Sequence, residues 1–277
     1  MDFNIKLSSG LTLKGFIISP GEDTKGVIIF VHGLGEHIQR YAYWADLFKK
    51  EGIAFTGLDL PGHGRSEGRR GNIKNYTQVS EMIDIMIKTS ARTFPGVPIY
   101  IYGHSLGGGI VLDYILRRKP IINGAIVTSP WLRLSFEPSN SKLLLASFMR
   151  LLIPGLIQPS GLIVEHISHD KEVVEKYKKD PLVHGKISVS LFHSAMSAAK
   201  YSLEHASELK VRTLLMHGSD DKICSPDGSR EFAGKSGMVE LKIWEGGYHE
   251  LHNEPFKEEV FEYIMNWIRK SPIQNPQ

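Results

Sequence analysis

What most constrains this chain is an alternation: short, mainly apolar runs recur along it, separated by longer stretches with helical spacing. Val27-Ile28-Ile29-Phe30-Val31 is apolar without a break, and mainly apolar runs follow at 53–58, 98–102, 124–128, 211–216 and 239–243. A strand apolar on both faces must be covered on both, which parallel sheets flanked by helices achieve. Helical patterns fall between the runs, at 41–50, 77–93, 106–117, 226–233 and 254–269. Ahead of them, 3–7 and 11–18 are split by Ser8-Ser9-Gly10 and read as a hairpin. The pattern predicts an α/β fold with a mostly parallel central sheet, helices on both faces, and an antiparallel hairpin at the start.

One interval breaks the rhythm. From Pro130 to Lys210 there are about eighty residues, where a strand–helix–strand unit needs roughly thirty. The surplus is enough for an inserted helical cap, so the expected division is a core of 1–130 and 206–277 with a cap, or lid, at 131–205. Within it, Leu143-Leu144-Leu145-Ala146-Ser147-Phe148-Met149-Arg150-Leu151-Leu152-Ile153 is apolar nearly all round a helix before Pro154 and Gly155 end it. The run is shorter than the ~20 residues of a membrane span and holds Arg150. It reads as a lid helix over an apolar pocket, with a plain packing helix or a shallow membrane-surface contact as the alternatives.

Composition excludes several classes. With 42% hydrophobic and 23% charged residues the chain is an ordinary globular one. A single cysteine, Cys224, rules out an intramolecular disulfide and a Cys-rich zinc or iron–sulfur site. The net charge of +3 is mild and the basic clusters are scattered, a poor footprint for nucleic acid. Residues 1–15 carry no signal-peptide pattern, which sets cytoplasmic location as the expectation, with peripheral membrane association through the cap as a variant of it.

The chemistry centres on Gly103-His104-Ser105-Leu106-Gly107, which follows an apolar run and precedes a helical one. That strand–turn–helix context is what a nucleophile elbow needs: the glycines clear room for a tight turn that projects the serine hydroxyl above the strand end. A serine becomes a useful nucleophile only when a base takes its proton. His249 follows the last strand and Gly246-Gly247, while Asp220 and Asp221 follow the strand before it, giving the order Ser…Asp…His. Spacing alone does not choose between the two aspartates. The glycines of His32-Gly33-Leu34-Gly35, after the first buried strand, suit an oxyanion hole built from the backbone N–H groups of Leu34 and Leu106. His166 and His169 have no HExxH context and read as a solvated cap face, and no metal is expected. His63, His104 and His217 lie in glycine turns and read as structural hydrogen-bonders. Gly62-x-Gly64 lacks a dinucleotide-binding pattern, so no cofactor is expected, and Cys224 reads as a buried, inert thiol.

Together these residues resemble the α/β-hydrolase superfamily, and within it the monoacylglycerol lipase and lysophospholipase-like family, over nearly the whole chain. His32-Gly33-Leu34-Gly35-Glu36-His37 with Arg40-Tyr41 is similar to that family's HGxGEHxxRY signature. Asp59-Leu60-Pro61-Gly62-His63-Gly64-Arg65-Ser66 resembles the DxxGHGxS stretch of the superfamily, and Tyr248-His249-Glu250-Leu251-His252-Asn253-Glu254 resembles the YHxxxxE segment with its extra histidine. In Gly218-Ser219-Asp220-Asp221-Lys222-Ile223-Cys224 the second aspartate falls at the family's acid position, so the resemblance selects Asp221. It also implies that Tyr177, before Asp180-Pro181-Leu182, lines an alcohol pocket, and that Glu36, Arg40 and His252 contact a glycerol head group. Leu34 stands where the family often has a smaller residue, and the elbow reads Ser-Leu-Gly-Gly-Gly where Ser-Met-Gly-Gly is also common.

The reading is a serine hydrolase that cleaves carboxylic esters, a monoacylglycerol lipase, through the triad Ser105, Asp221 and His249, on a small lipid ester. Its rivals are a general carboxylesterase on short esters, a lysophospholipase, and a ligand receptor on a hydrolase scaffold.

Overall fold

The computed structural model describes residues 1–136 and 153–270. Its strands are β1 (Asp2–Lys6), β2 (Thr12–Ile18), β3 (Gly26–Val31), β4 (Ile53–Leu58), β5 (Ile99–His104), β6 (Gly124–Thr128), β7 (Ile157–Pro159), β8 (Lys186–Ser188), β9 (Thr213–Gly218) and β10 (Val239–Trp244). The helices are α1 (Ala42–Lys50), α2 (Tyr76–Thr93), α3 (Leu106–Arg118), α4 (Lys171–Lys179), α5 (Val189–His205), α6 (Pro226–Gly234) and α7 (Lys257–Arg269).

β3 shows why its apolar run is unbroken. Successive side chains of a strand point to opposite faces. Val27, Ile29 and Val31 enter one core with residues of α2, α3, α5 and α6, among them Met82, Ile115, Leu191 and Phe232. Ile28 and Phe30 enter the other with Trp44 and Phe48 of α1 and Ile264 and Trp267 of α7. Each fully buried side chain of this size contributes about 1.5–3 kcal/mol, so neither face tolerates a polar residue cheaply. The edge strand β10 is only half-buried, and its sequence is correspondingly mixed.

The eight-stranded sheet runs β1-β2-β4-β3-β5-β6-β9-β10. β1, β2 and β4 pair antiparallel, and every pairing from β4 through β10 is parallel. The chain leaves β3 toward β4 on one side and returns to β5 on the other. At such a reversal the loops leaving the two central strands diverge and open a crevice at the sheet's carboxyl edge. The loop of Gly33–Glu36 and the elbow at Ser105 are those two loops.

Two element boundaries differ from the sequence reading for a local reason. The last helix starts at Lys257 rather than at 254, after a 3₁₀ turn at Leu251–Asn253. Pro255 disfavours helical backbone at the residue before it, and Glu254 is extended at φ −72°, ψ 158°. β9 starts at Thr213 and extends to Gly218, because His217 and Gly218 pair with Ile243 and Trp244.

Between β6 and β9, β7 and β8 form a small antiparallel pair, and α4 lies between them in the chain, with Val174 and Tyr177 buried. α5 instead packs along α3, burying Leu191, Ala195 and Leu203 in the core shared with the sheet. The lid helix expected at Leu143–Ile153 lies outside the described residues, apart from Ile153 itself.

The β3 loop is held from below by Asp59, which is wholly buried. Its Oδ1 accepts from Ile38 N–H at 2.8 Å and its Oδ2 from Arg65 N–H at 2.7 Å. Gly64 makes the close approach possible: it has φ +49°, and a Cβ there would lie 2.3 Å from the carboxylate. Asp59→Ala orphans both donors, and the expected loss is about 2–4 kcal/mol, read as a lowered urea midpoint with unchanged slope. A wild-type midpoint would overturn this role.

Candidate active site

Ser105 is the single residue between β5 and α3, and its backbone is bent to φ 55°, ψ −119°. A non-glycine residue in that region costs about 1–3 kcal/mol and persists only where its surroundings over-determine it. They do so here. Ser105 N–H donates to Thr128 O at 3.0 Å, and the Ser105 carbonyl accepts from the N–H groups of Gly109 and Trp131, both at 3.0 Å. The flanking glycines are sterically required: a Cβ on Gly107 would lie 2.1 Å from Val31 O, and one on Gly103 would lie 2.5 Å from Gly107 O.

Two long-range loops complete a chain of hydrogen bonds. Ser105 Oγ lies 2.9 Å from His249 Nε2, and His249 Nδ1 lies 2.7 Å from Asp221 Oδ2. His249 follows β10 and its carbonyl accepts from Ser129 Oγ at 2.7 Å; Ser129 is itself held at φ 46°. Asp221 follows β9, and its Oδ1 accepts from Ile223 N–H at 2.8 Å and Cys224 N–H at 3.0 Å. Asp220 is exposed and bonds Ser219 Oγ instead, so the aspartate facing His249 is Asp221.

Burial would raise the Asp221 carboxyl, but the charge of a protonated His249 and the hydrogen bonds from His217 and His249 hold it well below the usual carboxylate range. For His249, burial would lower the imidazole, and the charge and hydrogen bond of Asp221 outweigh it and raise it above the usual histidine value. The arrangement thus keeps a fixed anion beside a base that readily takes a proton.

The loop after β3 faces the elbow. His32 Nε2 accepts from Leu60 N–H at 2.9 Å, so its proton sits on Nδ1 and is donated to Gly33 O at 2.8 Å. A Cβ on Gly33 would lie 3.2 Å from Ser105 Cβ, and Leu34 lines the same pocket as Ser105 and His249. Leu106 opens α3, where backbone N–H groups lack an intrahelical acceptor. The rest of the pocket wall is largely apolar, from Trp131, Leu134, Leu162, Ile167 and Ile223. Cys224 also lines it, and burial pushes its thiol well up, as suits an inert one.

The residues placed by resemblance near a head group part company in the structure. Tyr177 and Glu36 line the pocket. Arg40 is occupied: it donates to both oxygens of Glu250 at 2.7 Å and to Glu36 Oε2 at 2.5 Å, with its guanidinium 4.6 Å from the Tyr177 ring centre. One cation serves two buried carboxylates. Glu250 takes the bidentate pairing, which overcomes burial and lowers it to about 2, whereas burial raises Glu36. His252 is not among the residues that line the pocket. Its ring is packed among those of Tyr41, Trp44 and His104, and burial lowers it to about 3.

His104, Glu250 and His252 bring possible ligand atoms within 4.8 Å of one another. Both Glu250 oxygens are engaged by Arg40, and a second cation there would face the guanidinium. His63 and His104 make hydrogen bonds to Pro61 O and Thr128 Oγ1, in keeping with structural roles. His169, read as part of a solvated face, is half-exposed but bonds the buried Glu254 at 2.9 Å.

Sequence reasoning missed three groups at the site. Glu250, the residue after His249, is Arg40's partner from 210 positions away, a pairing that spacing does not reveal. Ser129 gives no motif. His217 was read only as structural, although it stands four residues before Asp221 and its Nε2 lies 3.0 Å from Asp221 Oδ2.

The contact between Gly107 and the β3 carbonyls makes a specific prediction. Gly107→Ala must separate the elbow from the loop at Gly33, so labelling of Ser105 by a serine-directed fluorophosphonate should fall at least about 100-fold with a lowered melting temperature. Wild-type labelling would contradict the steric account.

A family model described as serine aminopeptidase, S33, matches residues 22–256. An uncharacterized abhydrolase domain-containing protein of Dictyostelium discoideum is 35% identical over 98% of this chain, which spans only 29% of that longer protein. Monoacylglycerol lipase of Mycolicibacterium smegmatis is 32% identical over 253 residues, 90% of each chain. Among solved structures, the monoacylglycerol lipase of Paleococcus ferrophilus matches with a TM-score of 0.85 at 31% identity, covering 92% of this chain and 98% of that one. The strained serine turn, the sheet order and these matches agree: the chain belongs to the α/β-hydrolase superfamily, in its serine aminopeptidase S33, monoacylglycerol lipase-like family.

Proposed function

We propose that the protein is a serine hydrolase of carboxylic esters that acts on monoacylglycerols through an acyl-enzyme. The observation that carries this is the Ser105–His249–Asp221 hydrogen-bond chain opening into a largely apolar pocket. Ser105 Oγ attacks the ester carbonyl as His249 Nε2 takes its proton. Asp221 holds the ring and stabilises the imidazolium that forms. The carbonyl oxygen, now negative, is met by the N–H groups of Leu34 and Leu106. His249 returns the proton to the leaving alcohol oxygen, and then activates water to release the fatty acid and free Ser105.

The apolar wall suits an acyl chain, and the Glu36 and Tyr177 side suits a small polar alcohol. In this reading the cap is the insertion at 131–205, of whose described part α5 packs on α3. Phe136, Ile153, Leu156 and Ile163 are exposed on that segment, and they supply the surface for a peripheral contact with lipid. No helix among the described residues is long and apolar enough to cross a membrane.

Three outcomes test the reading. On p-nitrophenyl esters and 1-monoacylglycerol, turnover should favour acyl chains of about eight carbons or more, and Ser105→Ala should abolish it; a preference for two to four carbons with no action on monoacylglycerol would leave a short-ester esterase. Asp221→Asn should lower kcat by about 10⁴-fold, while Asp220→Asn should not. Because Asp221 raises His249, kcat/KM should fall as pH decreases, with a midpoint above the 6.5 of an ordinary histidine. A rate flat through that range would remove His249 as the base.

A further inference from the structure

Asp221 Oδ2 carries two imidazoles. Besides His249, it faces Nε2 of His217, which lies 3.0 Å away and also 3.0 Å from the carbonyl of Cys224. A nitrogen between two acceptors must bear the proton and donate it. The other ring nitrogen, Nδ1, lies 2.7 Å from Ser229 Oγ on α6, and that hydroxyl can donate to it. His217, Asp221 and Ser229 are all buried, the first and last completely. The hydrogen-bond chain through the site therefore continues past Asp221 for two more residues, Ser229 to His217 to Asp221 to His249 to Ser105.

We propose that His217 and Ser229 are positioning residues for the hydrolytic reaction: Ser229 fixes His217 with its proton on Nε2, and His217 shares Asp221 Oδ2 with His249 and so sets how strongly the carboxylate draws on the catalytic imidazole. This rests on Ser105 being the nucleophile. Geometry distinguishes the role from simple packing. Oδ1 is already anchored by the N–H groups of Ile223 and Cys224, so the carboxylate does not need His217 to stay in place. What His217 adds is a second donor on the one oxygen that His249 uses. A donor there stabilises the carboxylate's charge and lowers its demand for the His249 proton; the hydroxyl on Nδ1 strengthens that donor by polarising the ring. His217 lowers the Asp221 carboxyl through this bond, in keeping with that role. Removing it shifts Asp221's attraction onto His249, which then holds its proton to higher pH. The other groups facing His249 are Glu250 and His252 from the segment that follows it, Glu36 from the loop after β3 and His104 from β5, and they stay unchanged.

The test is the second-order rate at which a fluorophosphonate labels Ser105, followed from about pH 5 to 9, since this reads the nucleophile without assuming an ester. A wild-type protein inert to the reagent would strike down the hydrolase reading itself. With a reactive wild type, His217→Leu should move the acid limb upward by about half a pH unit or more, as His249 holds its proton to higher pH. His217→Gln, whose amide nitrogen can occupy the Nε2 position, should restore the wild-type limb. Ser229→Ala removes one hydroxyl and is the milder variant if His217→Leu fails to fold; it should shift the limb in the same direction by less. Folded His217→Leu with the wild-type limb would overturn the proposal. So would equal shifts in the Leu and Gln variants, or a Ser229→Ala profile that superposes on the wild type.

Discussion

Ser105 occupies a backbone conformation that L-residues avoid, at φ 55°, and much of the centre of the molecule is arranged so that it can stay there. β5 carries it to the sheet's carboxyl edge and α3 leads away at once, which is possible only because Gly103 and Gly107 have no side chains. The same absence of a Cβ on Gly107 lets α3 touch the β3 carbonyls, and this brings the loop at Gly33 beside the serine. One steric constraint thus positions the nucleophile, the start of a helix and the glycine-rich loop facing both. The strain is small beside the burial of two cores, one on each side of the sheet.

Charge is handled by saturation. Asp221 is buried, yet each of its oxygens accepts two hydrogen bonds, two from backbone and two from imidazoles. A carboxylate so surrounded stays ionised in an apolar setting where an unpaired one would take up a proton. On the other side of the pocket Arg40 ties Glu36, in the loop after β3, to Glu250, beside His249. That buried triad links two loops from opposite ends of the sequence. Removing one member would strand a charge, which is strongly destabilising even where the complete set contributes little net stability.

Much of this was legible in the chain. Strand periodicity recovered every long strand of the sheet to within two residues, because both faces of the central strands are buried and polar residues are sparse in them. The helical periodicity extends to Glu254, whereas Pro255 disfavours helical backbone at its predecessor and the helix starts at Lys257. The serine turn could be read because steric need dictates glycine at fixed spacing. Spacing did not choose Asp221 over Asp220, and only the family resemblance did: both follow the same strand, and the turn's geometry sends one inward and the other to solvent. The packing of His252 among the rings of Tyr41, Trp44 and His104 is not written in its closeness to His249, which says nothing of which way its ring points. Pairings such as Arg40 with Glu250 are set by tertiary structure alone.

The most direct test of the account is to mix the protein with a monoacylglycerol, quench in acid within the first turnovers, and map the acylated peptide by mass spectrometry. The account predicts one acyl group per chain, on the peptide containing Ser105 and absent from Ser105→Ala. Hydrolysis with no acylated intermediate on Ser105, or an acyl group on another residue, would contradict it.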